Sequence, residues 1–453
     1  MTAMPETREL NLSMDFCLRV GEMLLSSGAG VADVSATVQS LARVLDLRYP
    51  DIDVTFTSLS MSYQHDPEEP PLIQLRHVKQ RDIDYEDLTL VDHLVRDVLA
   101  GRSDLKEARN RLGRIVSSGH TLPRWATTLG WGVMAGGVGL QLGGGPVVVA
   151  IAFVAAACID RVQLVLSRRR VPFFYQQVAG GAVATLIALA AAAVSSDLDT
   201  SLVVTANIVM LLAGIGFMGA LQDALSGYYI TASARITEAM MATAGIIGGV
   251  SGGLSLADAL GVGVGALEPG GAGLKEASLM AVGGAIAGAA FAFSSYAPRR
   301  ALAPIALVAA VAVTISQSGD LQGIARPWAS AGAAFFVGLV SYTVAGRLRV
   351  PPLVVIVPAV VPMLPGLSIY RGLTLLVEGG PQTSAGLLAM VTAGSVAIAL
   401  ASGVILGEYV AQPLRRQAQR VESRLAGPRL VGPLLSHPIR HGKAVRGRQK
   451  TRR

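Results

Sequence analysis

Five ionisable residues stand in or beside stretches otherwise too apolar to hold them: Asp160, Asp223, Arg235, Glu238 and Glu408. A charge at the centre of a bilayer costs about 2.5–3.5 kcal/mol on insertion scales, so such a residue faces a partner, a cavity or a water path. Asp223 has the chemistry to bind an ammonium group or to carry a coupling proton, and Arg235 to pair with a carboxylate. Arg235 and Glu238 are three residues apart and could equally pair with each other at a membrane edge. Asp160 and Arg161, toward the end of an apolar run, read as charges that snorkel to the surface.

Two irregular stretches surround these candidates. The first runs from Gly214 through Gly216, Gly219, Asp223 and Gly227 to Arg235 and Glu238. The second holds Pro358, Pro362 and Pro365, then Gly366, Tyr370, Arg371 and Gly372. Proline removes a backbone donor and clashes with the preceding turn, so three in eight residues kink or break a helix. Broken backbone at membrane depth survives only where protein buries it or where it lines a cavity. A half-helix starting at Gly366 would offer N–H groups to a carboxylate. The candidate substrate- or ion-binding residues are therefore Asp223, Gly227, Arg235 and Glu238 from the first stretch, with Pro362, Pro365, Gly366, Tyr370 and Arg371 from the second. No metal ligand set, catalytic motif or cofactor loop stands out. His65, His77 and His93 are scattered, and two cysteines cannot form a four-cysteine zinc site.

Both stretches need membrane helices to hold them. The chain has 453 residues, 51% hydrophobic and only 15% charged, with 51 glycines. Soluble domains run near 25% charged, so an ordinary soluble enzyme is unlike this composition. Apolar runs fall near 125–142, 146–166, 173–194, 202–222, 236–256, 276–296, 301–317, 328–346, 352–376 and 384–410. Most have the roughly 20 residues needed to cross a hydrocarbon core. Arginines recur in alternate connections: Arg168–Arg170, Arg235, Arg299 and Arg300, Arg347 and Arg349, then Arg415 and Arg416. The intervening connections carry Asp197, Asp199, Asp258 and Glu268. By the positive-inside rule this predicts a multi-pass protein of the cytoplasmic membrane with both termini in the cytoplasm. The irregular stretches belong to the fourth and ninth runs, the fourth of each set of five. An odd number of spans forces a tandem copy to insert upside down, so two inverted five-span repeats are expected, as in transporters whose sites lie at paired broken helices.

Charge divides the rest. Residues 1–124 hold 19 acidic and 14 basic residues, residues 125–410 hold 11 and 12, and residues 411–453 hold one and 12. The net +7 therefore comes from a short tail. That tail lacks the interleaved aromatics of a nucleic-acid binder and is read as a basic, disordered cytoplasmic end. The head reads as α+β, with helices over 12–26 and 31–46, a strand over 51–63, a second near 71–78, and helices near 84–100 and 103–117. Met1 to Glu22 is polar and resembles no signal peptide. The expected divisions are a head at 1–124, five-span repeats at 125–270 and 271–410, and the tail at 411–453.

Phe16–Val34 (FCLRVGEMLLSSGAGVADV), the strand DVTFTSLSMS, Gln222–Ala239 (QDALSGYYITASARITEA) and its echo Val361–Gly372 (VPMLPGLSIYRG) resemble the threonine/serine exporter family in order over residues 12–410. The resemblance implies export of small hydroxy amino acids by an ion-gradient-driven carrier, with the proton gradient the expected source. Family members often carry prolines before the position of Asp223. Gly214, Gly216 and Gly219 stand there instead, implying a softer break. Related two-component members are associated with dicarboxylates, so export of other small organic acids is the alternative, with a membrane-anchored hydrolase acting through the head as another. The expected partners are threonine or serine, the lipid bilayer and, as a further option, other copies of the chain in a homo-oligomer. No nucleic acid and no cofactor is expected.

Overall fold

The structure, a computed structural model, describes residues 3–422 apart from 65, 67, 79–81, 195–198, 212–213, 260–273 and 379. The head begins with α1 (Ala3–Ser26) and α2 (Val31–Val44), joined by a turn in which Gly28 takes φ +98°, a conformation that side-chain-bearing residues rarely adopt. Three antiparallel strands follow, β1 (Asp51–Val54), β2 (Ser58–Tyr63) and β3 (Leu72–His77), in the order β1-β2-β3. Strand alternation puts Leu59, Met61 and Tyr63 of β2 into the core, which they share with the buried Phe16, Leu18, Leu24 and Leu41. Then come α3 (Tyr85–Leu99) and α4 (Leu105–Ser118), each capped by an aspartate that accepts the N–H three residues on, Asp84 from Asp87 and Asp104 from Glu107.

The single strand expected over 51–63 is two. Thr55 donates both its N–H (2.9 Å) and its hydroxyl (3.2 Å) to the Ser58 carbonyl, and the chain doubles back so that Asp51 pairs with Ser62 and Val54 with Leu59. Thr55-Phe56-Thr57 has strand-forming residue types, so propensity gave no sign of this turn.

From Arg124 onward the chain is helical: α5 (Arg124–Gln141), α6 (Pro146–Arg168), α7 (Phe173–Val194), α8 (Thr200–Leu211), α9 (Gly214–Leu225), α10 (Tyr229–Ala259), α11 (Leu274–Ser294), α12 (Arg299–Leu321), α13 (Arg326–Leu348), α14 (Leu353–Val360), α15 (Gly366–Glu378) and α16 (Thr383–Glu422). Seven of these, α6, α7, α10, α11, α12, α13 and α16, are long and apolar enough to cross a bilayer. A pair bent by 42°, Leu353–Met363 with Gly366–Gly372, passes the same test of length and apolarity as a broken span or a re-entrant loop. The protein is an α-helical polytopic membrane protein. Helix α16 continues to Glu422, past the 410/411 boundary expected for the tail; residues 423–453 and the 270/271 boundary lie outside the described residues.

Glycine sets how closely these helices approach, as expected where lipid gives no hydrophobic drive. A Cβ on Gly249 of α10 would strike the Val178 carbonyl of α7, and one on Gly245 would lie 2.7 Å from the Phe174 carbonyl. On α16, Gly403 and Gly407 meet the Ala331 and Phe335 carbonyls of α13 in the same way. Gly137 of α5 and Gly283 of α11 face each other's backbones. Among neighbours, α5 packs on α6, α8 and α11; α6 on α7 and α8; α7 on α8 and α10; and α9 on α10 and α16. Further along, α11 packs on α12 and α14; α12 on α13 and α14; α13 on α14 and α16; and α15 on α16, α8 and α10.

Candidate functional site

Helix α9 ends at a turn in which Gly227 takes φ +90°, and α10 runs back beside it. This fold-back brings Asp223 of α9 to Arg235 of α10: Nη1 lies 2.9 Å from Oδ2, with 1% of the Asp223 side chain and 12% of the Arg235 side chain exposed. Gly219 leaves room for the guanidinium, since a Cβ there would sit 3.0 Å from Nη1. The i, i+3 partner considered for Arg235 is not the one used: Glu238 is exposed.

The head completes this site. Helix α2 starts at Gly30 with no side-chain cap of its own, and the Val31 N–H instead donates to Asp223 Oδ1 at 3.0 Å. Arg235 Nη2 donates to the Ala29 carbonyl at 3.4 Å. A helix N-terminus carries partial positive charge, so the Asp223 carboxylate sits between two favourable fields. A cavity of about 40 Å³ adjoins it, lined by residues of α2, α9, α13 and α16. Asp33 of α2 faces Asp223, and burial, then the Asp223 charge, push its carboxyl up to about 6 from 3.8. The ionisable groups around it are Asp223 from α9, Glu408 from α16 and, across Asp223, Arg235 from α10.

The sign of that shift sets a pH dependence. A carboxyl raised in the docked state holds its proton more tightly there, so it costs stability above about pH 6 and the cost fades as pH falls toward 3.8. Asp33→Asn should therefore raise the melting temperature of the detergent-purified protein at pH 7.5 and leave it nearly unchanged at pH 4. Equal shifts at both pH values would contradict this.

The second stretch lies elsewhere in the bundle. Pro358 is inside α14, Pro362 in a one-turn 3-10 helix (Val361–Met363), and Pro365 just before α15. The carbonyl of the buried Pro362 accepts Gln141 Nε2 of α5 at 2.7 Å. Gly366 lies against Val209 of α8, where any side chain would collide. Its N–H donates to the Leu364 carbonyl at 2.8 Å, so this amide is not the free donor expected at a half-helix start. Tyr370 is buried among Val203, Leu211 and Ile246, and Arg371 is half-buried. The two stretches are linked through α8 and α15, while Asp223 and Arg235 are held by the head and by α16.

Asp160 is a correction. It is buried rather than snorkelling, held by Arg124 Nη2 (2.7 Å) and Thr128 Oγ1 (2.6 Å) of α5, while Arg161 is exposed. The α5–α6 hairpin places the start of one helix beside the end of the other and so brings Arg124 to Asp160. The head's other contacts follow the arginine-rich connections. Tyr85 N–H donates to the Ser295 carbonyl (2.9 Å), the His120 ring stacks on Tyr296 (3.9 Å), and a ring nitrogen of His93 lies 2.8 Å from the Arg349 carbonyl.

A family model for threonine/serine exporters matches residues 15–257, and a second, described as threonine/serine exporter, ThrE, matches residues 280–410. A probable threonine/serine exporter of Mycobacterium tuberculosis (strain ATCC 25618 / H37Rv) is 35% identical over 426 residues, covering 92% of this chain and 80% of the relative. The threonine/serine exporter of Corynebacterium glutamicum is 32% identical over 414 residues, covering 89% and 83%. No solved structure matches the chain. The matched families are transporters rather than enzymes, which sets aside hydrolysis in the head. By these matches over most of its length, the chain belongs to the threonine/serine exporter family.

Proposed function

We propose that this protein exports threonine and serine across the cytoplasmic membrane by secondary active transport coupled to the proton gradient. The observation that carries the site assignment is the buried Asp223–Arg235 pair beside a polar cavity, because a zwitterionic solute needs one group of each sign. Asp223 is assigned to the ammonium group or the coupling proton and Arg235 to the carboxylate. Gly227 sets the turn between them, and Glu238 is the exposed outer charge of α10. Pro362, Pro365, Gly366, Tyr370 and Arg371 form the second broken segment, whose movement against α8 would carry the alternating step.

The bundle is read as ten spans, adding α5 and the α8–α9 pair to the seven helices and the bent pair above, in two inverted five-span repeats. Its support is the neighbour pattern. Replacing α5–α10 by α11–α16 in order turns each neighbour pair within the first set into one within the second. It also turns α9–α16 into α15–α10 and maps α5–α11 onto itself, while α8–α15 has no equally extensive α14–α9 counterpart among the described residues. The two family models part between residues 257 and 280, near the proposed repeat boundary. A cytoplasmic head and termini are supported by the arginines of the connections that the head touches, Arg299 and Arg300 beside Tyr296 and Arg349 beside His93.

The coupling is tested by efflux of labelled threonine, serine and succinate from cells expressing the protein, with and without an uncoupler. Threonine and serine efflux that collapses with the uncoupler, and no succinate efflux, is expected. Efflux unaffected by the uncoupler would remove the proton gradient.

A further inference from the structure

The head adds more than a neighbouring surface, since three of the residues around the cavity, Gly30, Ala32 and Asp33, belong to it. Gln222 and Asp223 of α9, Ser226 in the turn after it, Tyr342 of α13 and Glu408 of α16 form the opposite walls. A space of about 40 Å³ holds a water or two and no amino acid. We propose that the head is the inner gate of the transport path: docked as here, its Gly28–Asp33 turn closes the cavity beside Asp223 and Arg235, and solute reaches that pair only when the turn withdraws. The gate rests on the transport function proposed above.

The contacts suit a latch. Two hydrogen bonds hold the turn to the ion pair, Val31 N–H to Asp223 and Arg235 to the Ala29 carbonyl. Both ends of each bond are groups a zwitterionic solute would compete for. The head's contacts at Ser295, Tyr296 and Arg349 lie on other connections and can persist while the turn moves. Asp33 adds negative charge beside Asp223 and Glu408, a balance that an arriving ammonium group or proton would change. Gly28, at φ +98°, gives the turn its sharp return toward α9.

The test labels a cysteine placed at Ser226 in the full-length, detergent-purified protein, using a charged maleimide. Cys158 is changed to Ser because it is exposed; Cys17 is buried, its thiol pushed up to about 12 by burial, and stays unreactive. Val31→Pro removes the N–H that Asp223 accepts. Proline is tolerated at the first position of a helix, and Gly30, at φ −68° and ψ 150°, already has the conformation that precedes proline. Val31→Ala trims the same buried side chain and keeps the N–H. Labelling should be about tenfold faster in Val31→Pro, the loss of one charge-assisted hydrogen bond, and unchanged in Val31→Ala. Equal rates in all three proteins would overturn the gate. If Val31→Pro is not monodisperse, Gly28→Ala, which strains the turn, carries the same expectation. Threonine should also speed labelling of the parent. If it does not, while Val31→Pro does, the solute assignment fails and the gate stands.

Discussion

Changing Asp223 to Asn should abolish threonine efflux while the protein still reaches the membrane. The substitution keeps the volume of the side chain and an oxygen for the Val31 N–H, but it removes the charge that Arg235 faces at 2.9 Å. Removing one partner of a buried pair costs about 3–5 kcal/mol, because the other charge is left without compensation. A carrier whose solute must bind between those charges should lose export by about 100-fold or more on that scale. The companion variant is Asp223→Asn with Arg235→Gln. Dropping both charges should recover much of the lost thermal stability and none of the export, which separates a transport role from a structural one. Efflux of labelled threonine, with membrane abundance measured by immunoblot, checks both. Unimpaired efflux in the single variant would remove Asp223 from the mechanism.

A stability effect of comparable size is expected at Gly249. A Cβ there would meet the carbonyl of Val178 and lie 2.8 Å from the Ala182 nitrogen, all backbone atoms of α7 that no rotamer change can move aside. Gly249→Val should force α7 and α10 apart and cost about 3 kcal/mol, at the upper end of overpacking penalties. Gly407→Val should do the same to α13 and α16, where the added atoms would meet the Phe335 carbonyl. Gly248 is the control: a Cβ there finds nothing within 4 Å, so Gly248→Ala should be neutral or stabilise by up to about 1 kcal/mol through helix propensity. Thermal melting followed by size-exclusion chromatography reads all three. Matching melting temperatures for Gly248→Ala and Gly249→Val would contradict the close backbone packing.

Hydropathy places most of the bundle, because apolar length is a local property that a window of residues can register. The helix boundaries at Pro146, Phe173, Arg299 and Arg326 fall within a few residues of the expected runs. The turn at Thr55–Thr57 escaped for the opposite reason: β-branched and aromatic residues filled a reversal that usually advertises itself with Gly, Asn or Asp.

The site was half legible. Asp223 and Arg235 stood out as charges in apolar sequence, but their pairing depended on the Gly227 turn, which folds α10 back along α9. Glu238, at helical spacing from Arg235, was the nearer partner in sequence and not in space. The head's part was out of reach, since Val31 and Asp223 are 192 residues apart. One sign was present: α2 opens on Gly28-Ala29-Gly30 with no Ser, Thr, Asp or Asn to cap it. Such a helix start needs an acceptor from elsewhere. Asp160 shows the same limit, as its partner Arg124 lies 36 residues away and only the hairpin joins them.

The most direct measurement is counterflow in proteoliposomes containing only this protein. Vesicles loaded with unlabelled threonine should accumulate labelled threonine transiently, serine inside should support the same uptake, and Asp223→Asn protein should show neither. No counterflow with the parent protein, or equal counterflow with the Asp223→Asn variant, would contradict a threonine and serine carrier built around the Asp223–Arg235 pair.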